Sequence, residues 1–418
     1  MDRIDRQRYL DRLIAGHRNG LIKIVTGLRR SGKSYLLFQI FHDHLISEGV
    51  NESHIIEIAL DDVLNEEYLN PRNLLTYIRS RIIDNDLYYV LLDEVQMVDN
   101  FVGTLNSLLH IRNVDVYVTG SNSKFLSSDI ATEFRGRGDE IRIHPLSFAE
   151  FLPAYGGSRS DAWKDYCTYG GLPLVLSLET EEKKVRYLQN LYKTVYLKDV
   201  VERNKIRRLN EFEKLVKIMA STIGAPTNPN KLANTFKSVE GVDLNSETIG
   251  FYLSYLQDAF ILDKSMRFDI KGRKYIGTLP KYYFSDTGLR NAILDFRQQE
   301  ETHLMENIIY NELSIRGFNI DTGDVDVRSR NDNGSNMHNK LEVDFVANLG
   351  SKRYYIQSAL AIPDASKMSQ ETASLQSIHD NFRKVIIVKD DIIPWHNEDG
   401  ILILGLFDFL LKEDSLDY

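Results

Sequence analysis

The sequence predicts an α/β fold, a three-layer sandwich of parallel strands and helices, over the first third of the chain. Two observations predict it. Apolar runs of strand length alternate with segments of helical spacing, which is the pattern of a parallel sheet with crossover helices. A glycine-rich loop that ends in Lys-Ser follows the first of these runs, and open α/β sheets bind ligands at the carboxyl ends of their strands. With 418 residues, the chain has room for further domains.

The composition predicts a soluble protein of a reducing, cytoplasmic compartment. Hydrophobic residues make up 43% of the chain and charged residues 27%, which is an ordinary globular balance. The single cysteine, Cys167, excludes an intrachain disulfide and a multi-cysteine zinc site. We expect no membrane association, because the most apolar tract, residues 401–411, is too short to span a bilayer and no signal-peptide pattern opens the sequence.

The net charge restricts nucleic-acid binding without excluding it. The formal charge of −9 argues against a nucleic-acid coat over the whole surface, because neutralising phosphates needs a positive field. One basic domain on an acidic chain remains compatible with this total.

The first strand-like run, Leu21–Thr26, leads into the most specific motif of the chain. Residues 27–34, GLRRSGKS, match G-x-x-x-x-G-K-[ST] in front of a helical segment. Glycines in this P-loop let backbone N–H groups surround phosphates, Lys33 reaches the β- and γ-phosphates, and the Ser34 hydroxyl ligates Mg²⁺. The residues expected to bind nucleotide are Gly27, Arg29, Arg30, Ser31, Gly32, Lys33, Ser34 and Tyr35.

A second acidic motif follows about sixty residues later. Tyr88–Leu92 is a buried-strand pattern that ends in Asp93 and Glu94, which is a Walker B arrangement. We expect Asp93 to order the Mg²⁺ shell and Glu94 to polarise the attacking water. An acid directly after the aspartate distinguishes ATPases with a glutamate base from small nucleotide kinases.

Three further strands complete the predicted five-stranded sheet, and the turn after one of them suggests a sensor. The strands are expected at Ile55–Leu60, Val114–Thr119 and Glu140–His144. Polar residues follow the second of these, so Asn122, or Ser121, is the candidate sensor of the γ-phosphate and of the attacking water. The alternative is an ordinary Gly-Ser-Asn turn.

Transition-state charge in such enzymes usually needs an arginine beyond the P-loop lysine. Arg137 and Arg135 lie between the sensor strand and the last strand, and Arg203 lies farther along. We expect Arg137 to act as a catalytic arginine in cis or in trans. A surface arginine is the alternative for each of the three.

The middle of the chain predicts a helical lid and then a winged helix. Residues 161–208 are mostly helical in pattern. Helices are expected at 211–223, 231–239 and 246–260, and a hairpin around Lys271–Gly272 follows, which together suggest a winged helix.

Basic residues cluster on the predicted wing, which on an acidic chain suggests contact with the phosphate backbone of double-stranded DNA. Protein docking and a purely structural role are the alternatives. The candidate nucleic-acid contacts are Lys264, Arg267, Lys271, Arg273 and Lys274.

The last third suggests a nuclease fold without its complete chemistry. A helix that carries Glu306 and a strand that carries Asp344 fit the PD-(D/E)xK pattern. The E-x-K positions, however, are Gln357 and Ala359. Gln cannot replace the ligand charge and Ala cannot replace the lysine, so we expect a remnant used for binding.

Nine sequence blocks, in order along nearly the whole chain, resemble AAA+-type ATPases of bacteria and archaea with a helical lid, a winged helix and a restriction-endonuclease-like C-terminal domain. The resemblance implies ATP binding and hydrolysis with Mg²⁺. We also expect a homo-oligomer, because the segment around Arg137 often faces a neighbouring subunit in such ATPases. The blocks are GLRRSGKS (27–34), LLDEVQ (91–96), TGSNSKFL (119–126), GRGDEIRIHPLSFAEF (136–151), YGGLPLVL (169–176), YLKDVVERNKI (196–206), YYFSDTGLRN (282–291), ENIIYNEL (306–313) and EVDFVA (342–347).

The fold class predicted for the whole chain is therefore α/β: a P-loop NTPase three-layer sandwich with a helical lid, plus a winged helix and an α+β nuclease-like domain. The expected function is an Mg²⁺-dependent ATPase that couples nucleotide state to binding of DNA or a partner protein. A nucleotide-dependent signalling switch or scaffold with incidental turnover is the main alternative, and an active nuclease is the third. The expected domains are 1–155, 156–210, 211–298 and 299–418.

Overall fold

The computed structural model describes residues 3–120, 136–275, 279–330 and 336–418, with the backbone alone at 240, 328–330 and 336–339. The chain divides into two compact units. The first runs to Pro145 and also includes Leu172–Ser177 and Leu256–Ile261. The second comprises Leu146–Gly171, Leu178–Tyr255 and Leu262–Tyr418. The finer division into four domains stays a prediction.

The first unit is built on a five-stranded sheet in which every pairing is parallel. The strand order is β2-β3-β4-β1-β5, so the predicted α/β core with a parallel sheet is confirmed. Strand β4 lies between the strand that precedes the P-loop and the strand that carries Asp93. The strands are β1 (Ile22–Gly27), β2 (Ile55–Ala59), β3 (Tyr88–Asp93), β4 (Val114–Thr119) and β5 (Gly138–Ile143).

Both faces of this sheet are buried, because alternate residues of a strand point to opposite faces. Tyr88, Val90 and Leu92 belong to one apolar cluster, whereas Tyr89 and Leu91 belong to another. Each fully buried side chain of this size contributes about 1.5–3 kcal/mol to stability. The first unit is therefore a three-layer sandwich.

The helices of the first unit cover these two faces. The helix after the P-loop begins at Lys33 and contains a π-helical turn. The α-helical segments are Gln7–Ala15, Lys33–Tyr35, His42–Ser47, Pro71–Arg81 and Phe101–Leu108, the π-helical segment is Leu36–Phe41, and the 3₁₀ segments are Glu52–His54, Val63–Leu69, Val95–Met97 and Pro173–Ser177.

The second unit contains most of the predicted middle and C-terminal helices. Those expected at 211–223, 231–239 and 246–260 are present with slightly different bounds. The α-helices are Phe148–Tyr155, Arg159–Tyr169, Glu181–Leu191, Lys198–Arg203, Leu209–Ser221, Pro229–Glu240, Ser246–Asp258, Thr287–Ile293, Glu301–Ile315, Ala365–Gln376 and Leu406–Leu411, with a π-helical segment at Tyr192–Leu197 and a 3₁₀ segment at Ser415–Asp417.

Two sheets accompany these helices. A mixed sheet has the order β14-β15-β13-β12-β11-β10-β7-β8, and β6 pairs with β9 in an antiparallel ribbon. The strands are β6 (Leu262–Ser265), β7 (Arg267–Asp269), β8 (Lys274–Tyr275), β9 (Lys281–Phe284), β10 (Asn319–Arg330), β11 (Asn336–Leu349), β12 (Lys352–Ala359), β13 (Arg383–Val388), β14 (Trp395–His396) and β15 (Leu402–Gly405).

The hairpin predicted around Lys271–Gly272 is formed by β7 and β8, but it differs from a free wing. Strand β7 pairs in parallel with β10, with Asp269 opposite Asp324. In its turn Gly272 N–H donates to Asp269 Oδ1 at 2.8 Å, and a Cβ at Gly272 would displace the Asp269 carboxylate, since it would lie 2.1 Å from Oδ2. The hairpin is thus an edge of the C-terminal sheet, and a separate winged-helix domain stays a prediction.

Within the described ranges, no helix is both long enough and apolar enough to cross a membrane.

Candidate active site

The P-loop leaves β1 through a backbone that only glycine tolerates. Gly27 has φ 136°, and a Cβ there would lie 2.1 Å from the carbonyl oxygen of Ile143. Gly32 has φ 98° immediately before the helix that begins at Lys33. Both predicted glycines therefore lie where a side chain would be strained, because L-residues rarely adopt such angles.

Lys33 points back into its own loop. Its side chain is only 5% exposed, and Nζ donates to the carbonyl oxygens of Gly27 and Leu28 at 3.1 Å each. Burial lowers the pKa of Lys33 to about 8. Among the neighbouring charges, the Glu94 carboxylate raises this pKa the most, against the effect of burial. The ammonium and the Glu94 carboxylate are therefore neighbours in one site.

The two residues predicted to hold Mg²⁺ lie together. The Ser34 hydroxyl is hydrogen-bonded to the carboxylate of Asp93, and burial raises the pKa of Asp93. Hydroxyl and carboxylate oxygens are the hard donors that Mg²⁺ prefers. The donor set of these two residues therefore fits Mg²⁺.

The remaining predicted P-loop residues differ in exposure. Arg30 is exposed and has φ 64°, Tyr35 is 43% exposed, and Arg29 is partly buried. Ser31 is fully buried, so its side chain faces away from the loop surface.

Thr119, at the carboxyl end of β4, connects the two acids, and the sequence motifs did not single it out. Its hydroxyl donates to Asp93 and accepts the backbone N–H of Glu94 at 3.0 Å. The sequence carries a signal for this residue, because Thr119 is the last residue of β4, the strand that pairs with the one ending at Asp93. The predicted sensors, Ser121 and Asn122, follow Thr119 but lie outside the described residues, so their assignment stays a prediction.

Arg6 is the second residue that sequence reasoning missed. It is 4% exposed, and it donates to the carbonyl oxygens of Ser31 at 3.2 Å and His144 at 2.6 Å. No sequence motif marks it, because its acceptors are main-chain oxygens.

Of the predicted catalytic arginines, Arg137 lies in the first unit but outside this cluster. Arg137 precedes β5, and its carbonyl oxygen accepts from Ile22 at the amino end of β1. Six-residue strands place that edge about 17 Å from the P-loop edge. Arg137 therefore lies at the edge of the sheet opposite the P-loop, and its catalytic role, in cis or in trans, stays a prediction. Arg135 lies outside the described residues, and Arg203 pairs with Asp199 at 2.5 Å.

In the second unit, four of the five candidate DNA contacts are exposed. Arg267 is the exception, because it forms ion pairs with Asp324 at 3.0 Å and with Glu342. It holds β7 against the C-terminal sheet, so it is not part of the predicted surface. The exposed four are Lys264, Lys271, Arg273 and Lys274.

The nuclease-like residues meet around a buried lysine that sequence reasoning did not single out. Lys281 Nζ contacts Glu306 at 3.1 Å and Glu342 at 2.7 Å. Burial, and then the charge of Glu306, raises the pKa of Asp344 to about 8. An ammonium from β9 thus balances carboxylates at the place where the PD-(D/E)xK pattern expects a metal.

A protein-family model matches the part of the chain that contains the P-loop and the strand ending at Asp93. The model of an AAA domain, AAA_14, matches residues 19–152, and the model of a domain of unknown function, DUF8612, matches residues 160–300. The chain therefore carries an AAA-type P-loop ATPase domain, which supports nucleotide binding.

Full-length relatives define the family more closely. An uncharacterized protein of Haemophilus influenzae is 31% identical over 415 residues, covering 98% of this chain and 99% of that protein. The uncharacterized protein MJ1544 of Methanocaldococcus jannaschii is 30% identical over 396 residues, covering 90% of this chain and 82% of its own length. The chain belongs to the family of these two proteins.

Solved structures give only a distant likeness. The ORC1 protein of Aeropyrum pernix in complex with DNA is 14% identical, with 70% of this chain and 92% of that chain covered and a TM-score of 0.29. A DNA replication initiation factor is 16% identical, with 62% and 95% covered and a TM-score of 0.27. At these scores the likeness supports no functional argument.

Proposed function

We propose that the protein is a cytoplasmic, Mg²⁺-dependent ATPase whose nucleotide state controls binding of DNA or a partner protein. The observation that carries the proposal is the hydroxyl of Thr119, which joins Asp93 and the backbone of Glu94 beside the P-loop. Nucleotide binding alone does not require a glutamate fixed at this place. Hydrolysis does, because a base must be held within reach of the attacking water.

The side chains divide the work in this proposal. Backbone N–H groups of the loop and the Lys33 ammonium bind the phosphates. Ser34 and Asp93 would hold Mg²⁺, which when bound neutralises charge that develops on the transferred phosphoryl group. Glu94 accepts a proton from water. The Lys33 ammonium donates to the carbonyl oxygens of Gly27 and Leu28, and its third N–H is left for a phosphate.

A homo-oligomer completes the proposed site. Arg137 is exposed at the edge of the sheet opposite the P-loop, so we propose that its guanidinium acts on a neighbouring copy. Arginine supplied in trans is a recurrent way to stabilise transition-state charge.

Double-stranded DNA is the partner that we favour for the second unit. Four exposed cations on β6 and the β7–β8 hairpin support contact with a phosphate backbone on a chain that is otherwise acidic. A partner protein with an acidic surface is the alternative. Because Lys281 balances the carboxylates at the nuclease-like site, DNA cleavage is not part of the proposal.

One experiment tests the proposal and its rivals together. The rate of ATP hydrolysis is measured with and without duplex DNA, alongside the oligomeric mass with bound nucleotide. We expect turnover that DNA alters and a mass above that of one chain. ATP binding without turnover would favour the signalling switch, and Mg²⁺-dependent DNA cleavage would favour the nuclease.

A further inference from the structure

Gln96 contacts the proposed catalytic base. Its side-chain amide donates to the carboxylate of Glu94, two residues earlier. Such close neighbours meet because the chain turns tightly after β3: Val95–Met97 is a 3₁₀ turn, and Met97 N–H donates to the Glu94 carbonyl oxygen at 3.0 Å. The contact is thus built by the local backbone.

This arrangement is costly for the fold. Glu94 has φ 51°, in the left-handed region that residues with a side chain rarely adopt. Among the described residues, the buried Oε1 of Gln96 has no hydrogen-bond partner. Each feature costs on the order of 1–3 kcal/mol. Local rules are broken in this way mainly where function requires it.

The backbone and the side chain of Glu94 are held by two different residues. Thr119 accepts its backbone N–H at 3.0 Å, and Gln96 donates to its carboxylate. The Glu94 charge also opposes the lowered pKa of Lys33 more than any other group does. The carboxylate that Gln96 holds therefore lies near enough to the P-loop lysine for its charge to act on Lys33.

We propose that Gln96 is a positioning residue for ATP hydrolysis: its amide fixes the Glu94 carboxylate where it can take a proton from the attacking water. The inference rests on the proposed function, in which Glu94 is the base. A misplaced base slows the chemical step without weakening nucleotide binding. Gln96 thus affects kcat and leaves ATP affinity unchanged.

Gln96→Met tests this, because methionine has a similar length and cannot donate to a carboxylate. We expect kcat to fall on the order of tenfold or more, with the Kd for ATP changed less than about twofold. The thermal midpoint should not fall, because the substitution removes a buried unpaired oxygen. Gln39→Met, on an exposed residue of the helix after the P-loop, is the matched control and should leave kcat unchanged.

Gln96→Glu tests the same contact with a side chain of equal length, because an ionised carboxylate cannot donate to Glu94 and repels it. We expect kcat to fall while the Kd for ATP stays unchanged, a split between kcat and affinity that a structural role would not give. Both results together support the inference.

Other outcomes overturn it in distinguishable ways. A wild type that binds ATP without turnover overturns the proposed function and this inference with it. Wild-type turnover with an unchanged or higher kcat in Gln96→Met overturns the inference alone. A fall in kcat that is matched by a loss of thermal stability or of ATP affinity makes Gln96 structural, which overturns it as well.

Discussion

Arg6 and Ser31 are 25 positions apart, yet the Arg6 guanidinium donates to the Ser31 carbonyl oxygen at 3.2 Å. The same group donates to His144 after β5 and lies over the ring of Tyr9 at 4.7 Å. Arg6, in the segment before the first strand, therefore fixes the main chain of the P-loop at Ser31. A bidentate guanidinium suits this place, because it can reach two acceptors at once.

Arg6→Lys should weaken ATP binding, because one ammonium cannot hold both carbonyl oxygens and the loop loses its support. We expect a loss of stability of about 1–3 kcal/mol, measured by urea denaturation, together with a higher Kd for ATP. Arg3→Lys is the control, since the Arg3–Asp43 pair is exposed on both sides and should have little effect on either quantity. Equal behaviour of the two variants would refute the role of Arg6.

Thr119→Val should raise the Mg²⁺ concentration needed for half-maximal hydrolysis. Burial raises the pKa of Asp93, and the hydrogen bond from the Thr119 hydroxyl lowers it. Without that hydroxyl the pKa of Asp93 rises further, so protons compete better with Mg²⁺ at this carboxylate. The Mg²⁺ dependence of the rate measures this. Thr104→Val removes another buried hydroxyl, one that donates to the carbonyl oxygen of Asn100 at 3.2 Å, and should leave the Mg²⁺ dependence as it was.

Lys281→Met should destabilise the second unit strongly. Lys281 is 4% exposed, and its loss leaves Glu306 and Glu342 without their shared cation. Breaking a buried pair in this way costs about 3–5 kcal/mol, measured by urea denaturation. Lys352→Met, which removes a pair with Asp417 at the surface, should not change the denaturation midpoint.

The pH dependence of stability gives a second test of this cluster. The pKa of Asp344 is raised from 3.8 to about 8, so the folded state holds a proton that the unfolded state has released between these values. The contribution of Asp344 to stability is complete below about pH 4 and is lost as the pH rises through about 8. In Asp344→Asn this loss should be absent. An unchanged pH profile would show that Asp344 is not the titrating group.

Neutralising Lys271, Arg273 and Lys274 should weaken binding of duplex DNA. Each lost phosphate contact should reduce the slope of log K against log salt by about one unit. The control neutralises Lys183, Arg186 and Lys367, which lie on other surface helices of the second unit. Equal losses in both variants, or binding insensitive to salt, would point to a partner protein instead of DNA.

The motif residues of the first unit could be predicted because their signal is local. Gly27, Lys33 and Asp93 each end or follow a strand whose apolar pattern is plain in the sequence. Arg6 could not be predicted, because its acceptors are carbonyl oxygens of residues that are near only after the sheet forms. Lys281 was missed for the same reason: its partners come from a distant helix and strand. Arg137 directly precedes a strand of a parallel sheet, so its place at the edge opposite the P-loop follows from the sequence, whereas whether a neighbouring copy brings its site to Arg137 does not.

The most direct test of the central claim is ATP hydrolysis and ATP binding by Glu94→Gln beside the wild type. We predict that the variant keeps the wild-type Kd for ATP while kcat falls by about a hundredfold or more, because the base is lost. Glu48→Gln, on the exposed end of the helix after the P-loop, should match the wild type in both. Undiminished hydrolysis by Glu94→Gln would contradict the account.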